Sequence, residues 1–312
     1  MADRLGRDNP SLESTYKGRD VEGILDLLFY RKAGFAVARL CAALGLTPVA
    51  VTVVGGICGI YAGHLYYYRD LRINIIGMVL HVVANLLDNA DGQLARLLNR
   101  KSRTGRVIDS VFDHAIFFSI YLHLGLRCLA EGRSAVVVIL VLAAGISHAA
   151  QGAAADYFRN AYLFFVNGRA RSDWDSSHNL RREYCTLGWG RHAWEKLMLA
   201  LYINFTWQQE LLSPHLRQLR EAAYEGFPAE MPQEFRQSYR DVARPMLRWW
   251  GLLMTNTRMF FLFVFLVMDE PSSFFWMEVT VMNLLLLVLI LRQENMSRSL
   301  VEGMHRPQPV VS

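Results

Sequence analysis

The stretch from Asp88 to Asp113 spaces its acidic and small residues in a fixed rhythm. Asp88 and Asp91 are followed by Gly92, Ala95 and Arg96, and then Gly105, Asp109 and Asp113 recur at intervals of four. Carboxylates held this closely repel one another unless a cation compensates. Oxygen donors with no Cys or His pair among them suit a hard divalent ion, Mg²⁺ or Mn²⁺. Two such ions side by side stabilise phosphoryl chemistry by bridging phosphate oxygens and neutralising developing charge. Gly92 and Ala95 have almost no side chain, so a nucleotide diphosphate can approach the backbone there. Acidic helix ends solvated at a surface would account for one or two of these aspartates, but not for four on stripes shared with small residues.

Two helices must carry this set. At 100° per residue, Asp88, Asp91, Gly92 and Ala95 share one face. Gly105, Asp109 and Asp113 form a stripe on the next helix. The link between them is short and basic, with Arg100, Lys101, Arg103 and Arg106, so the helices are expected to be antiparallel neighbours with all four carboxylates at one depth.

The surroundings of these helices are apolar in long blocks. The chain has 312 residues, 53% hydrophobic and 20% charged, with a net charge of +5 and a mean hydropathy of +0.16. That composition excludes a disordered, collagenous or disulfide-stapled protein. Pro48 to Tyr68 has no formal charge, nor has Ile73 to Leu87 or Ser134 to Ala155. Val107 to Leu126 is apolar apart from Asp109, Asp113 and two His, Trp249 to Met268 contains only Arg258, and Ser272 to Leu291 only Glu278. A bilayer core needs about 20 predominantly apolar residues per helix. Buried helices of a soluble protein would show polar faces at period 3.6, whereas the best of these runs are apolar all round. The fold class is therefore all-α, a polytopic membrane protein with six transmembrane helices. An aspartate inside such a span costs ~2.5–3.5 kcal/mol at the helix centre, so four of them demand a function.

The expected organisation is a cytosolic tail with amphipathic surface helices over 1–46, spans one to four over 47–166, a helical cytosolic insert over 167–247, spans five and six over 248–292, and a cytosolic tail over 293–312. Lys and Arg concentrate in the link after the second span and in the Gly168–Pro245 insert, which sets those links and both termini in the cytosol. Val21 to Leu44 alternates Leu25, Leu28, Phe29, Phe35, Ala36 and Leu40 with Arg31, Lys32 and Arg39, as in a helix lying on the inner leaflet or, equally, an N-terminal helix packing on the bundle. The insert has a second amphipathic stretch, His192 to Leu212, and then a looser run with Pro214, Pro228 and Pro232. The first 20 residues lack an apolar h-region, so no cleaved signal peptide is expected. Cys41, Cys58, Cys128 and Cys185 lack metal spacing and read as small apolar fillers.

The spacing of Asp88, Asp91, Gly92, Ala95, Arg96, Gly105, Asp109 and Asp113 matches every fixed position of the signature of the CDP-alcohol phosphatidyltransferases. A chance match in a chain of this length is on the order of 10⁻⁷. Leu46-Thr47-Pro48 through Thr52 also resembles that family's opening of the first span, departing from it at Val49, where Asn is common. The resemblance implies two divalent ions, Mg²⁺ or Mn²⁺, held by Asp88, Asp91 and Asp109 with Asp113 completing the second. It implies Asp113 as general base on an acceptor hydroxyl, and a cytidine diphosphate site lined by Thr52, Asp88, Gly92, Ala95 and Gly105 with Arg96 in support. The implied reaction transfers the phosphatidyl group of CDP-diacylglycerol, or another CDP-activated lipid, to a small polar alcohol and releases CMP. Homodimers are common in the family, the membrane is the medium, and no nucleic-acid partner is expected.

The acceptor must be read from polar residues elsewhere. His148, Gln151, Asp156, Arg159 and Asn160 lie towards the cytosolic end of the fourth span, and Asn256 and Arg258 near the start of the fifth. Of these, His148, Gln151, Arg159, Asn256 and Arg258 are acceptor candidates. Arg159 and Arg258 suit an acceptor phosphate or, equally, intramembrane pairs with Asp156 or Glu278. The insert and ADYFRNAYLFF resemble a bacterial branch linked to inositol phospholipid synthesis in Bacteroides-like bacteria, which implies an inner-membrane enzyme and an inositol-phosphate acceptor. Phosphatidylglycerophosphate synthesis and CDP-choline or CDP-ethanolamine phosphotransfer are alternatives within the superfamily. A divalent-cation transporter is a remote one, since a pathway would string ionisable residues across the membrane rather than cluster them at one end.

Overall fold

A computed structural model describes residues 18–100, 103–168, 174–227 and 230–305, so Lys101 lies outside the described residues. Among them every element is helical: α1 Arg31–Ala43, α2 Pro48–Leu65, α3 Leu71–Leu97, α4 Arg103–Ala130, α5 Val136–Asn167, α6 Ser177–Thr186, α7 Trp189–Leu212, α8 Pro214–Gly226, α9 Gln233–Gly251, α10 Thr255–Val267, α11 Pro271–Met277 and α12 Asn283–His305. Six stretches are long and apolar enough to cross a membrane, which makes this an integral membrane protein. The described residues fall into two compact units, one drawn from Met1–His148 and Thr255–Val279, the other from Ala149–Met254 and Thr280–Ser312.

In the first unit, α2 is the hub. Thr47 caps it, its hydroxyl accepting from the Ala50 amide at 3.2 Å, and Pro48 takes the first helical position, where its missing N–H costs nothing. α2 then presents glycines to both neighbours. A Cβ at Gly55 would lie 3.0 Å from Leu87 of α3, and one at Gly56 only 2.0 Å from Phe112 of α4. Cβ atoms at Gly59 and Gly63 would meet Ile116 and Ser119 at 2.5 and 2.6 Å. Small residues let helices approach where lipid gives no hydrophobic drive to pack. The side chains of α4 are thereby seated in the surface of α2.

The lead-in helix packs on the bundle, the second of its two sequence readings. A π-helical turn, Asp26–Tyr30, runs into α1, and the buried face is the small one, with Gly34, Ala38, Cys41 and Ala42 packed on Ala90 and Leu94 of α3. Leu25, Leu28, Phe29 and Leu40 remain exposed, as an apolar face for lipid would be. Arg31 does not reach for headgroups: it is buried and pairs with Glu22 at 2.7 Å.

At the far end of this unit Arg127, 2% exposed, reaches the carbonyls of Tyr66 and Tyr68 and pairs with Glu131 and Asp269. Arg69 pairs with Asp269 at 2.9 Å and Arg133 with Glu270 at 3.0 Å. These bonds tie the links after α2, α4 and α10 together.

In the second unit, Pro214 opens α8 and Pro232 precedes α9, so both prolines act as helix starts rather than as a loose run; Pro228 lies outside the described residues. Buried Glu210 of α7 pairs with Arg220 of α8 and accepts from Ser177. Burial acts to raise the Glu210 carboxyl, but the Ser177 and Arg220 contacts outweigh it and hold it below the ordinary carboxylate range. The fifth apolar run is not one helix. α9 ends at Gly251, and three successive i→i+3 bonds through Leu252, Leu253 and Met254 precede α10. Glycine, the poorest helix former after proline, lets the ladder tighten and restart there.

Candidate functional site

The turn after α3 positions the site. Asn99 takes a left-handed φ of 50°, the Arg100 amide donates to the Ala95 carbonyl at 2.8 Å and the Asn99 amide to the Arg96 carbonyl at 3.2 Å. This is the two-bond helix stop usually built on Gly, with Asn in its place. The chain therefore leaves the helix at Asn99, and α4 brings Asp109 back beside Asp88 and Asp91.

Ligand oxygens of Asp88, Asp91 and Asp109 lie within 4.8 Å of one another. Asp113, one turn further along α4, stands outside that group. Asp91 is buried, Asp109 half-buried, and Asp88 and Asp113 are exposed, so the group is backed by protein on one side and open on the other. The Thr52 hydroxyl of α2 donates to Asp91 Oδ2, with the Pro48 carbonyl 3.0 Å away as its alternative acceptor. Thr52, expected beside a nucleotide, thus orients a carboxylate. A Cβ at Gly92 would meet nothing nearer than the Arg96 guanidinium, at 3.9 Å. Space rather than packing adjoins Gly92, and Arg96 borders it. Ala95 and Gly105 are half-buried on the same two helices.

Of the acceptor candidates, His148, Asn256 and Arg258 belong to the unit that holds the aspartates, and Gln151 and Arg159 to the other. Arg258 Nε donates to Glu278 Oε1 at 3.1 Å, with the two side chains 5% and 0% exposed. Of the two alternatives left open by the sequence, the intramembrane pair is present. His148 is buried against Phe117, with ring centroids 4.1 Å apart, and its Nδ1 meets the Tyr121 hydroxyl at 3.0 Å. Phe117 and Tyr121 continue the stripe of Asp109 and Asp113 one and two turns deeper. Gln151 donates to Asn283 at 2.8 Å. Arg159 has its Nε buried with no hydrogen-bond partner among the described residues. Asn160 bonds Asp156 at 3.0 Å.

Asn256 sits in a relay that sequence reasoning missed. Its Nδ2 donates to Asp26 at 2.8 Å, and its Oδ1 accepts from Asn85 Nδ2 at 2.9 Å. Asn85 lies one turn before Asp88, and its carbonyl accepts from Asn89 at 3.0 Å. The lead-in turn and the fifth span thereby grip the aspartate helix. Asn85 and Asn256, each within a separate apolar run, were the available signal. The glycine stripe of α2 was a second.

Residues 45–161 match the family model described as CDP-alcohol phosphatidyltransferase, and α2, α3, α4 and all four aspartates lie inside the matched stretch. A stretch of 90 residues, 28% of this chain, is 30% identical to an archaetidylinositol phosphate synthase of Pyrococcus horikoshii. The match spans 46% of that relative's length.

Proposed function

We propose that this chain, carrying a CDP-alcohol phosphatidyltransferase domain, transfers the phosphatidyl group of CDP-diacylglycerol to a hydroxyl of a small polar acceptor and releases CMP. The observation that carries the reading is the convergence of Asp88, Asp91 and Asp109 within 4.8 Å from two neighbouring helices. The site fits divalent metal: the donors are hard carboxylate oxygens, one flank is open, and the family uses divalent metals. Asp88, Asp91 and Asp109 would hold one ion and Asp113 would join them for a second. Ions bound there, Mg²⁺ or Mn²⁺, would offset carboxylate repulsion and the charge that develops on the transferred phosphate.

The chain's own residues divide the remaining work. Thr52 holds Asp91 in one orientation, so the carboxylate does not have to be ordered when substrate arrives. Gly92 leaves its face clear for the diphosphate, and Arg96 provides a fixed positive charge at its edge. Asp113, exposed and one turn from Asp109, accepts the proton of the acceptor hydroxyl as that oxygen attacks the lipid-linked phosphorus and CMP departs. Arg258, already paired with Glu278, suits a structural ion pair better than a free phosphate anchor. An inositol-phosphate acceptor is favoured by the Pyrococcus relative, whose name specifies that class of product. The basic links favour a site at the cytosolic face.

The test is CMP release from CDP-diacylglycerol with Mn²⁺ or Mg²⁺ and a panel of inositol phosphate, glycerol phosphate, serine and inositol. Asp113→Asn should abolish turnover and keep CDP-lipid binding. Near wild-type turnover in that variant would remove Asp113 as base, and no CMP release with any acceptor would overturn the reading.

A further inference from the structure

We propose that the outward face of α7 is a membrane-interface surface, seated in the headgroup–acyl boundary of the leaflet where the fourth span emerges. The large apolar residues and the buried residues of α7 lie on different faces. Lys196, Leu199, Thr206, Gln209 and Glu210 are buried on one side. On the other, Trp194, Leu197, Trp207 and Leu211 are 60%, 44%, 45% and 64% exposed, within an arc of about 140° at 100° per residue.

Depth decides what covers this face. Gln209 Nε2 donates to the Ala153 carbonyl of α5 at 2.9 Å, a buried bond. Ala153 lies inside the uncharged run Ser134–Ala155. About 20 residues from Val136, at ~1.5 Å each, exhaust a ~30 Å hydrocarbon core near Ala155. The residue closing α7, Ser213, accepts from Gln293 at 2.7 Å, just past the end of the sixth apolar run at Leu291. The last turns of α7 are thus pinned to two membrane helices where their apolar runs end. Trp207 and Leu211 project from that level, where the surrounding medium is lipid.

Composition agrees with the boundary rather than the core. Trp combines an apolar ring with a polar N–H and concentrates at membrane interfaces. Asn204 and Gln208, also exposed, interrupt the apolar face, which suits a helix shallow in the headgroup region. Adjoining α6 adds exposed Arg181 and Arg182 for phosphate headgroups.

The experiment uses the full chain in proteoliposomes, with Cys185→Ser removing the exposed thiol and the Cys185→Ser parent serving as the labelling blank. A nitroxide is attached to cysteine placed at 194, 197, 207 or 211, or at Glu195, an exposed charged position outside that arc. Collision with oxygen, enriched in lipid, is compared with collision with a water-soluble nickel chelate. The oxygen-to-nickel ratio should be several-fold higher at the four face positions than at Glu195. Nickel access equal to that at Glu195 would make α7 a solvated helix and overturn the proposal. Low access to both reagents with dipolar broadening between labels would assign the face to a second copy of the chain, and overturn it equally.

Discussion

Phe112 of α4 lies against the bare backbone of α2 at Gly56, and substituting that glycine should disarm the aspartates without touching them. A methyl group in Gly56→Ala would stand 2.0 Å from Phe112 Cδ1 and 2.3 Å from Cγ. Carbon atoms rest about 3.5–4.0 Å apart, so roughly 1.5 Å of movement is required. Rotating the ring cannot supply it, because Cγ lies on the rotation axis next to the backbone. The displacement therefore passes to α4, where Phe112 is flanked by Asp109 and Asp113. Overpacking of this kind costs ~1–3 kcal/mol. A misplacement of ~1 Å at a reacting centre costs on the order of a hundredfold in rate. We expect Gly56→Ala to remain folded with a lowered unfolding temperature, to lose about two orders of magnitude in CMP release, and to need more Mn²⁺ for half-maximal rate. Phe112→Ala in the same chain should recover part of the loss. Gly303→Ala, with no neighbouring heavy atom within 4 Å, should behave as wild type. A folded Gly56→Ala variant with unchanged rate and metal dependence would refute the idea that α2 positions α4 through its glycines.

Further outcomes follow from other contacts. Glu278→Gln should remove the carboxylate that pairs with the buried Arg258 and cost about 3–5 kcal/mol of stability, whereas Arg258→Met with Glu278→Leu should cost less, as measured by unfolding in detergent. At the link between α10 and α11, burial acts to raise the Asp269 carboxyl, but Arg69 and Arg127 outweigh it and hold it below the ordinary range. Its contribution is therefore present above the unfolded-state value and lost as pH falls through the lower folded one. Unfolding temperatures of wild type and Asp269→Asn should differ at pH 6 and converge towards pH 3. Asn256→Leu breaks both bonds of its relay and should lower kcat more than it changes the half-saturating acceptor concentration; the opposite split would make Asn256 an acceptor ligand.

Much of this protein is legible along the chain because its strongest signals are local. Uncharged runs of membrane-spanning length announce the spans, and two helical repeats place Asp88, Asp91, Asp109 and Asp113 on facing stripes without any knowledge of packing. Side-chain partnership is not local. Arg258 reads equally well as a phosphate anchor or as half of an ion pair, because Glu278 is 20 residues away and only the return of the chain through α11 brings it within reach. Asn256 meets Asp26 across 230 residues, a separation no periodicity encodes. The apolar letters of the lead-in helix are visible, but not that its small face packs inward and its large one outward, since that choice depends on the shape of α3. The break at Gly251 hides within a run whose hydropathy is continuous. Sequence alone determined the membrane class and the positions of the aspartate set. Tertiary structure decided which polar groups spend their charge on one another, because the cost of burying a charge is met only by a partner that folding brings beside it.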